Sequence, residues 1–186
     1  KAAQRALRRL GARKVKTCEV PVVFDPEMAA SLLRNLASAL SGYALYKGAS
    51  FLIGKLGTKI GSELLTIIDD GSIPCALGSR PFDGEGLPMR KKTMVERGEL
   101  KSYLLDTYSG KKLGMTSTGN ASRSVGEPPG VAAANFYLAP GQKTSEQIIN
   151  SVKSGLYVTE MIGFGVNMVT GDYSRGAAGF WVENGQ

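Results

Sequence analysis

Asn167, Asp172, Ser174 and Arg175 crowd one glycine-rich stretch, "GFGVNMVTGDYSRGAAGFWVENG", at residues 163–185. Their types suit recognition better than bond breaking. A guanidinium can grip a peptide carboxylate or another anion through two parallel hydrogen bonds, and Asp172 and Ser174 beside it can help orient the ligand. The same residues also have an internal use, with Thr170-Gly171-Asp172 as a turn and Arg175 pinning neighbouring carbonyls. The glycines between them allow positive φ or close backbone approach. The stretch therefore reads as backbone placement first and chemistry second.

The remaining inventory is narrow. Histidine is absent from all 186 residues, which removes Ser-His and Cys-His pairs and His-based zinc sites. Asp69, Asp70, Asp83 and Glu85 form the one acidic cluster. Such carboxylates could hold Mg²⁺ or Ca²⁺ or supply a hydrolytic pair, but the EF-hand spacing is not met, and capping of turns is the plainer use. Cys18 and Cys75 match no metal spacing; two buried free thiols are expected, with a disulfide or a reactive thiol as alternatives. Gly54-Lys55 runs into Leu56 with no glycine at 49, so there is no phosphate loop. Asn120-Ala121-Ser122 has the form of a glycosylation acceptor, without a secretory signal to make it meaningful.

The net charge is +7, with eleven Lys/Arg against three Asp/Glu in residues 1–60. Arg5, Arg8, Arg9, Arg13, Lys14 and Lys16 form a basic block. It could attract phosphate backbones, but no aromatic residue is interleaved for stacking, and a solvated face or linker is the simpler reading. No apolar run is long enough to span a bilayer. The basic N-terminus starts without Met and lacks a secretory core, as an internal piece of a longer chain would.

Periodicity supplies the elements that must position these groups. Residues 1–10 read as a helix with Ala3, Leu7 and Leu10 on one side and Gly11 as its end. "VKTCEVPVVF" reads as a strand interrupted at Pro21. Asp25-Pro26 opens the clearest helix, with Leu32, Leu36 and Leu40 on one face, Ser31, Arg34, Asn35 and Ser38 on the other, and Gly42 as its end. A short helix over 50–56 and a strand over 63–68 should follow, then a loop over 69–92. "KTMVE" and "LKSYLL" around Arg97-Gly98-Glu99 predict an antiparallel hairpin, and "DTYSGKKLG" a turn or one helical winding. Residues 115–130 lack periodicity and read as a long loop covering a site or interface. "VAAANFYLAPG" predicts a strand ending at Pro140-Gly141. Thr144 and Gln147 predict a capping box on a helix stopped by Gly155, and "LYVTEMI" a further strand. Together these predict an α+β fold, β-rich, with mixed or antiparallel pairing and separated helices. Residues 1–20 are expected to be the end of a preceding domain or a linker helix with the first strand, and 21–186 the main domain.

"GFGVNMVTGDYSRGAAGFWVENG", "GSRPFDGEGLP", "LLDTYSGKKLGMTSTGNA", "NFYLAPG" and "SGLYVTEMIG" occur in the order in which the PmbA/TldD family carries them. The chain resembles the PmbA (TldE) branch of that family from "CEVPVVFDPE" to "ENG". Family members are well over twice this length, so the resemblance implies a missing N-terminal domain and a missing extreme C-terminal portion. One branch resembles a zinc metalloprotease with H-E-x-x-x-H on a helix and a downstream cysteine. The branch resembled here implies a subunit without that motif, paired with the catalytic, TldD-like branch in a cytoplasmic heterodimer. Such an assembly degrades or trims unfolded peptides; the older label is modulator of DNA gyrase. On this resemblance Leu33 and Arg34 occupy the His-Glu positions and Ser38 the second His, while Gly163–Asn167 stands where the catalytic branch has its cysteine. The resemblance thus implies no metal and no catalytic residue in this chain, zinc in the partner, and substrate contacts from Asn167, Asp172, Ser174 and Arg175. The long loop at 116–131 would help close a chamber with the partner. A homodimer is possible when the chain is alone. The alternatives are an independent hydrolase using the acidic cluster and a modulator binding gyrase or nucleic acid through the basic block.

Overall fold

The computed structural model describes residues 2–7 and 10–186. Arg8 and Arg9 of the basic block lie outside the described residues. Helix α1 (Ala2–Leu7) is followed by irregular chain, in which Arg13, Lys14 and Lys16 are exposed. Ala3, Leu7 and Leu10 face solvent, so the expected apolar side packs on nothing described. Strand β1 (Val22–Phe24) begins only after Pro21; residues 15–20 form no strand, contrary to expectation.

Helix α2 (Pro26–Ala39) starts as its sequence dictates. The Asp25 carboxylate accepts the Glu27 N–H at 3.1 Å, and Pro26 occupies a first-turn position whose missing N–H costs nothing. The helix ends at Leu40, not at Gly42. Gly42 instead opens α3 (Gly42–Tyr46), where its missing Cβ admits Ser109 and Leu105; a Cβ there would overlap both side chains. On the polar side of α2 Arg34 and Ser38 are exposed and Ser31 and Asn35 half-buried, while Leu33, Leu36 and Ala37 pack on a core containing Leu40, Leu52, Met94, Leu104 and Leu105.

Residues 51–57 make turns and no helix. Phe51 N–H donates to the distant Met168 carbonyl and Gly57 N–H to the Leu100 carbonyl, while Leu52 N–H turns back to Ser50 Oγ. Gly54 and Gly57 sit at φ of 70° and 77°. The next strand, β2 (Ile67–Asp70), starts later than expected and takes in Asp69 and Asp70, which are therefore not loop residues. It pairs antiparallel with β3 (Lys91–Glu96), and β3 pairs with β4 (Glu99–Leu100) across the expected hairpin. Helix α4 (Thr107–Lys112) carries a capping box between Asp106 and Ser109.

The long loop is punctuated by a small antiparallel pair, β5 (Ala121–Ser122) with β6 (Gly130–Val131). The strand expected over 131–139 is split, because Ala134 N–H turns to the Asp69 carboxylate at 2.7 Å; only β7 (Phe136–Leu138) rejoins β2. Helix α5 (Ser145–Asn150) has the expected reciprocal Thr144–Gln147 box. Gly155 does not stop it. Ser151 is its cap, and Gly155 lies in β8 (Ser154–Ile162), which runs parallel to β1 with Leu156 N–H on the Pro21 carbonyl. Strand β9 (Gly176–Glu183) pairs antiparallel with β8. The architecture is thus α+β, with a mixed sheet β1-β8-β9, an antiparallel sheet β4-β3-β2-β7 and the β5-β6 pair.

Candidate functional site

The polar side of α2 meets the connection between β8 and β9. The connection is held open by its own backbone: Asn167 N–H donates to the Asp172 carbonyl, Gly171 N–H to the Asn167 carbonyl, and Ser174 N–H to the Gly165 carbonyl. The Asn167 side-chain oxygen takes the Val169 and Thr170 amides, and Asp172 takes the Thr170 hydroxyl at 2.7 Å. Asn167 and Asp172 therefore build the loop. Ser174 is exposed and contributes its backbone.

Arg175 alone of those four lines a groove of about 270 Å³, together with Asn35 and Ser38 of α2 and with Phe164, Val166 and Met168. Its Nε is buried and has no hydrogen-bond partner. A second cleft, of about 290 Å³, shares Ser38 and continues past Ser41 and Ala44 at the start of α3 to Val131 and Ala133. Ser38 is where the two clefts meet.

The far wall of the second cleft hangs on a buried polar network. Asp69, fully buried, accepts from Ala134 N–H and from Asn120 Nδ2 at 2.8 Å, and pairs with the Lys92 ammonium at 3.1 Å. Lys92 Nζ also donates to Asn120 Oδ1 and the Thr118 carbonyl. Asn120 in turn holds the Ala132 carbonyl, and Ala132 N–H donates to the Asn120 carbonyl. With Ala132 bonded to Asn120, Val131 opposite Ala121 is at a non-hydrogen-bonded position of the β5-β6 pair, so its main-chain groups point away from β5, and Val131 and Ala133 both line the cleft. Sequence reasoning missed Lys92 and read Asn120 as a glycosylation form; buried at 0 % exposure, Asn120 is no acceptor. The Tyr43 hydroxyl donates to the Pro129 carbonyl and ties the loop over α3. Burial first, then the Asp106 carboxylate, raises the pKa of Tyr43 above the ordinary tyrosine value, so it stays a donor at neutral pH.

The acidic cluster is spent on structure. Asp70 accepts the Ser72 hydroxyl and amide, the Ser72 hydroxyl bond being the main reason its pKa lies below the usual carboxylate value. Asp83 accepts the Glu85, Leu87 and Ala121 amides, and Glu85 the Thr107 amide. Among the described residues no three His, Cys, Asp or Glu side chains gather in a metal-binding group. Cys18 and Cys75 are free, as expected, but exposed rather than buried. Cys18 lies in the irregular chain before β1, and Cys75 in a turn at φ 59°, where neither is drawn into the core. Among the described residues no helix is long and apolar enough to cross a membrane.

Fold and groove together define an α+β domain that presents a guanidinium, an amide and a hydroxyl against an apolar wall. The chain belongs to the PmbA/TldA metallopeptidase C-terminal domain family, whose description matches residues 17–186. It is 40% identical to metalloprotease PmbA of Escherichia coli O157:H7, over 99% of this chain and 39% of that protein. It is 34% identical to a metalloprotease TldD homolog of Buchnera aphidicola from Acyrthosiphon pisum, over 90% of this chain and 35% of that one. Among solved structures it is similar to TldE from Thermococcus kodakarensis, with TM-score 0.82 and 30% identity over 98% of this chain and 43% of that one. It is also similar to a putative modulator of DNA gyrase from Bacteroides thetaiotaomicron, with TM-score 0.89 and 36% identity over 100% and 40%. The chain therefore spans about two fifths of the length of the relatives it matches.

At the positions that the resemblance gives to a zinc motif, Leu33 turns into the core, Arg34 is exposed, and the Ser38 hydroxyl donates to the Arg34 carbonyl at 3.0 Å. A hydrocarbon, a cation and a hydroxyl bonded to its own helix do not fit zinc, which takes Cys, His or carboxylate ligands.

Proposed function

We propose that this chain belongs to a non-catalytic, peptide-handling subunit of a cytoplasmic, two-subunit zinc metalloprotease that degrades or trims unfolded peptides. Zinc and the hydrolytic water sit in a TldD-like partner; without that partner the subunit pairs with itself. The observation that carries this reading is the set of side chains on α2, where Leu33, Arg34 and Ser38 replace anything able to ligate metal while the groove beside them persists. The inward bonding of Ala132 supports the handling role, since the main-chain groups of Val131, not spent on β5, can align an extended peptide with little regard to its sequence. The acidic carboxylates, each tied to amides, a hydroxyl or an ammonium, lend no support to an independent hydrolase. The test is casein cleavage by the full-length protein alone, by a TldD-like subunit alone, and by the mixture. Cleavage confined to the mixture supports the reading, and cleavage by the isolated full-length protein refutes it.

A further inference from the structure

We infer that the groove at Arg175 captures the C-terminal carboxylate of an extended peptide whose last side chain is apolar. This rests on the peptide-handling reading above. Arg175 is partly buried, its Nε is wholly so, and it has neither a hydrogen bond nor an ion pair in the structure. A buried Nε–H without an acceptor, on a half-buried cation without a counter-charge, is costly, and an arriving anion relieves that cost. No acidic side chain lines the groove, and Asp172, the nearest in sequence, is occupied by Thr170. Asn35, one turn from Ser38, makes no side-chain hydrogen bond and can donate its amide beside the guanidinium.

The opposite wall is apolar. Val166 and Met168 line it, and Phe164 stands fully exposed at its rim. One guanidinium, one amide and a hydrocarbon wall match a single carboxylate next to an apolar side chain; a phosphate dianion would call for a second cation. The neighbouring cleft continues past Ser38 to Val131, whose main-chain groups are not spent on β5. A peptide anchored by its carboxylate at Arg175 therefore has an extended path for its preceding residues, and the anchor sets which way it runs. Terminal capture would give a handling subunit a way to choose loose chain ends over folded proteins.

The test uses the full-length protein without its partner and fluorescence anisotropy of peptides labelled at the amino end. The probes are Ala-Ala-Phe-Leu with a free carboxylate, the same peptide as its C-terminal amide, and Ala-Glu-Phe-Leu amide. The free acid should bind at least tenfold tighter than its amide, a difference of about 1.4 kcal/mol. The Glu-containing amide should bind no better than the plain amide. R175Q should bring acid and amide to equal affinity, and N35A, which leaves the guanidinium in place, should cut the preference at least threefold. Equal binding of acid and amide by the wild type overturns the inference, as does retained preference in R175Q. Strong binding of the Glu-containing amide overturns terminal capture specifically. If none of the three peptides binds, the peptide-handling reading fails as well.

Discussion

Removing the Asp69 carboxylate should release the wall of the second cleft. Asp69→Ala deletes the acceptor for Ala134 N–H at 2.7 Å and for Asn120 Nδ2 at 2.8 Å, and the partner of Lys92 at 3.1 Å. The two charged side chains are 0% and 9% exposed, so the Lys92 cation would be left nearly dry. Breaking one side of such a pair costs about 3–5 kcal/mol. Adding the two hydrogen bonds to the carboxylate at about 1.5–3 kcal/mol each would give about 3–6 kcal/mol before the ion pair is counted. The lower range is preferred, because Lys92 keeps the Thr118 and Asn120 oxygens and water can enter the vacated space. In the full-length protein, hydrogen exchange of the segment 130–139 should then accelerate by more than about a hundredfold. Adding Lys92→Met, which removes the stranded cation, should restore much of the protection. Acceleration below tenfold, or no recovery in the double variant, would refute the idea that this ion pair holds the cleft wall.

Other expectations concern the groove and its supports. Gly165→Ala would drive a Cβ into the Ser174 carbonyl, a rigid backbone atom, so the 163–175 loop should lose its fold and peptide binding should fall while α2 stays intact by hydrogen exchange. Arg175→Ala should weaken peptide turnover by the two-subunit complex without changing its zinc content; unchanged turnover would remove Arg175 from the site. The depressed pKa of Asp70, due first to the Ser72 hydroxyl, means that its stabilising contribution is present above the unfolded carboxylate value and lost as pH falls through the folded one. Asp70→Asn should therefore be less stable than the wild type at pH 7, with the gap closing below about pH 4 in urea titrations.

Local chemistry was legible wherever it was self-contained. Asp25-Pro26 and Thr144–Gln147 specify helix starts through side chains a few residues away, and both form as read. Glycines were misleading because their reasons are tertiary. Gly42 makes room for Ser109, more than sixty residues on, and Gly155 lies in a strand paired to β1. Residues 50–56 look helical until Met168 and Ala39 are brought beside Phe51 and Ser50. Within the candidate site, Asn35, Ser38 and Arg175 were each visible as polar residues on a helix face or in a glycine-rich loop. Their meeting was not visible, since it depends on β8 and β9 folding back over α2. Asn120 and Lys92 carried no local signal at all; their burial follows from pairing with Asp69 across the sheet.

The central claim is that this polypeptide guides peptides while another subunit holds the metal. Zinc should be measured by mass spectrometry on the purified full-length protein and on its complex with a TldD-like subunit. The protein alone should hold less than a tenth of an equivalent, and the heterodimer one equivalent that is lost when the TldD-like subunit's zinc-binding histidines are replaced. One equivalent bound by the isolated protein would contradict the claim.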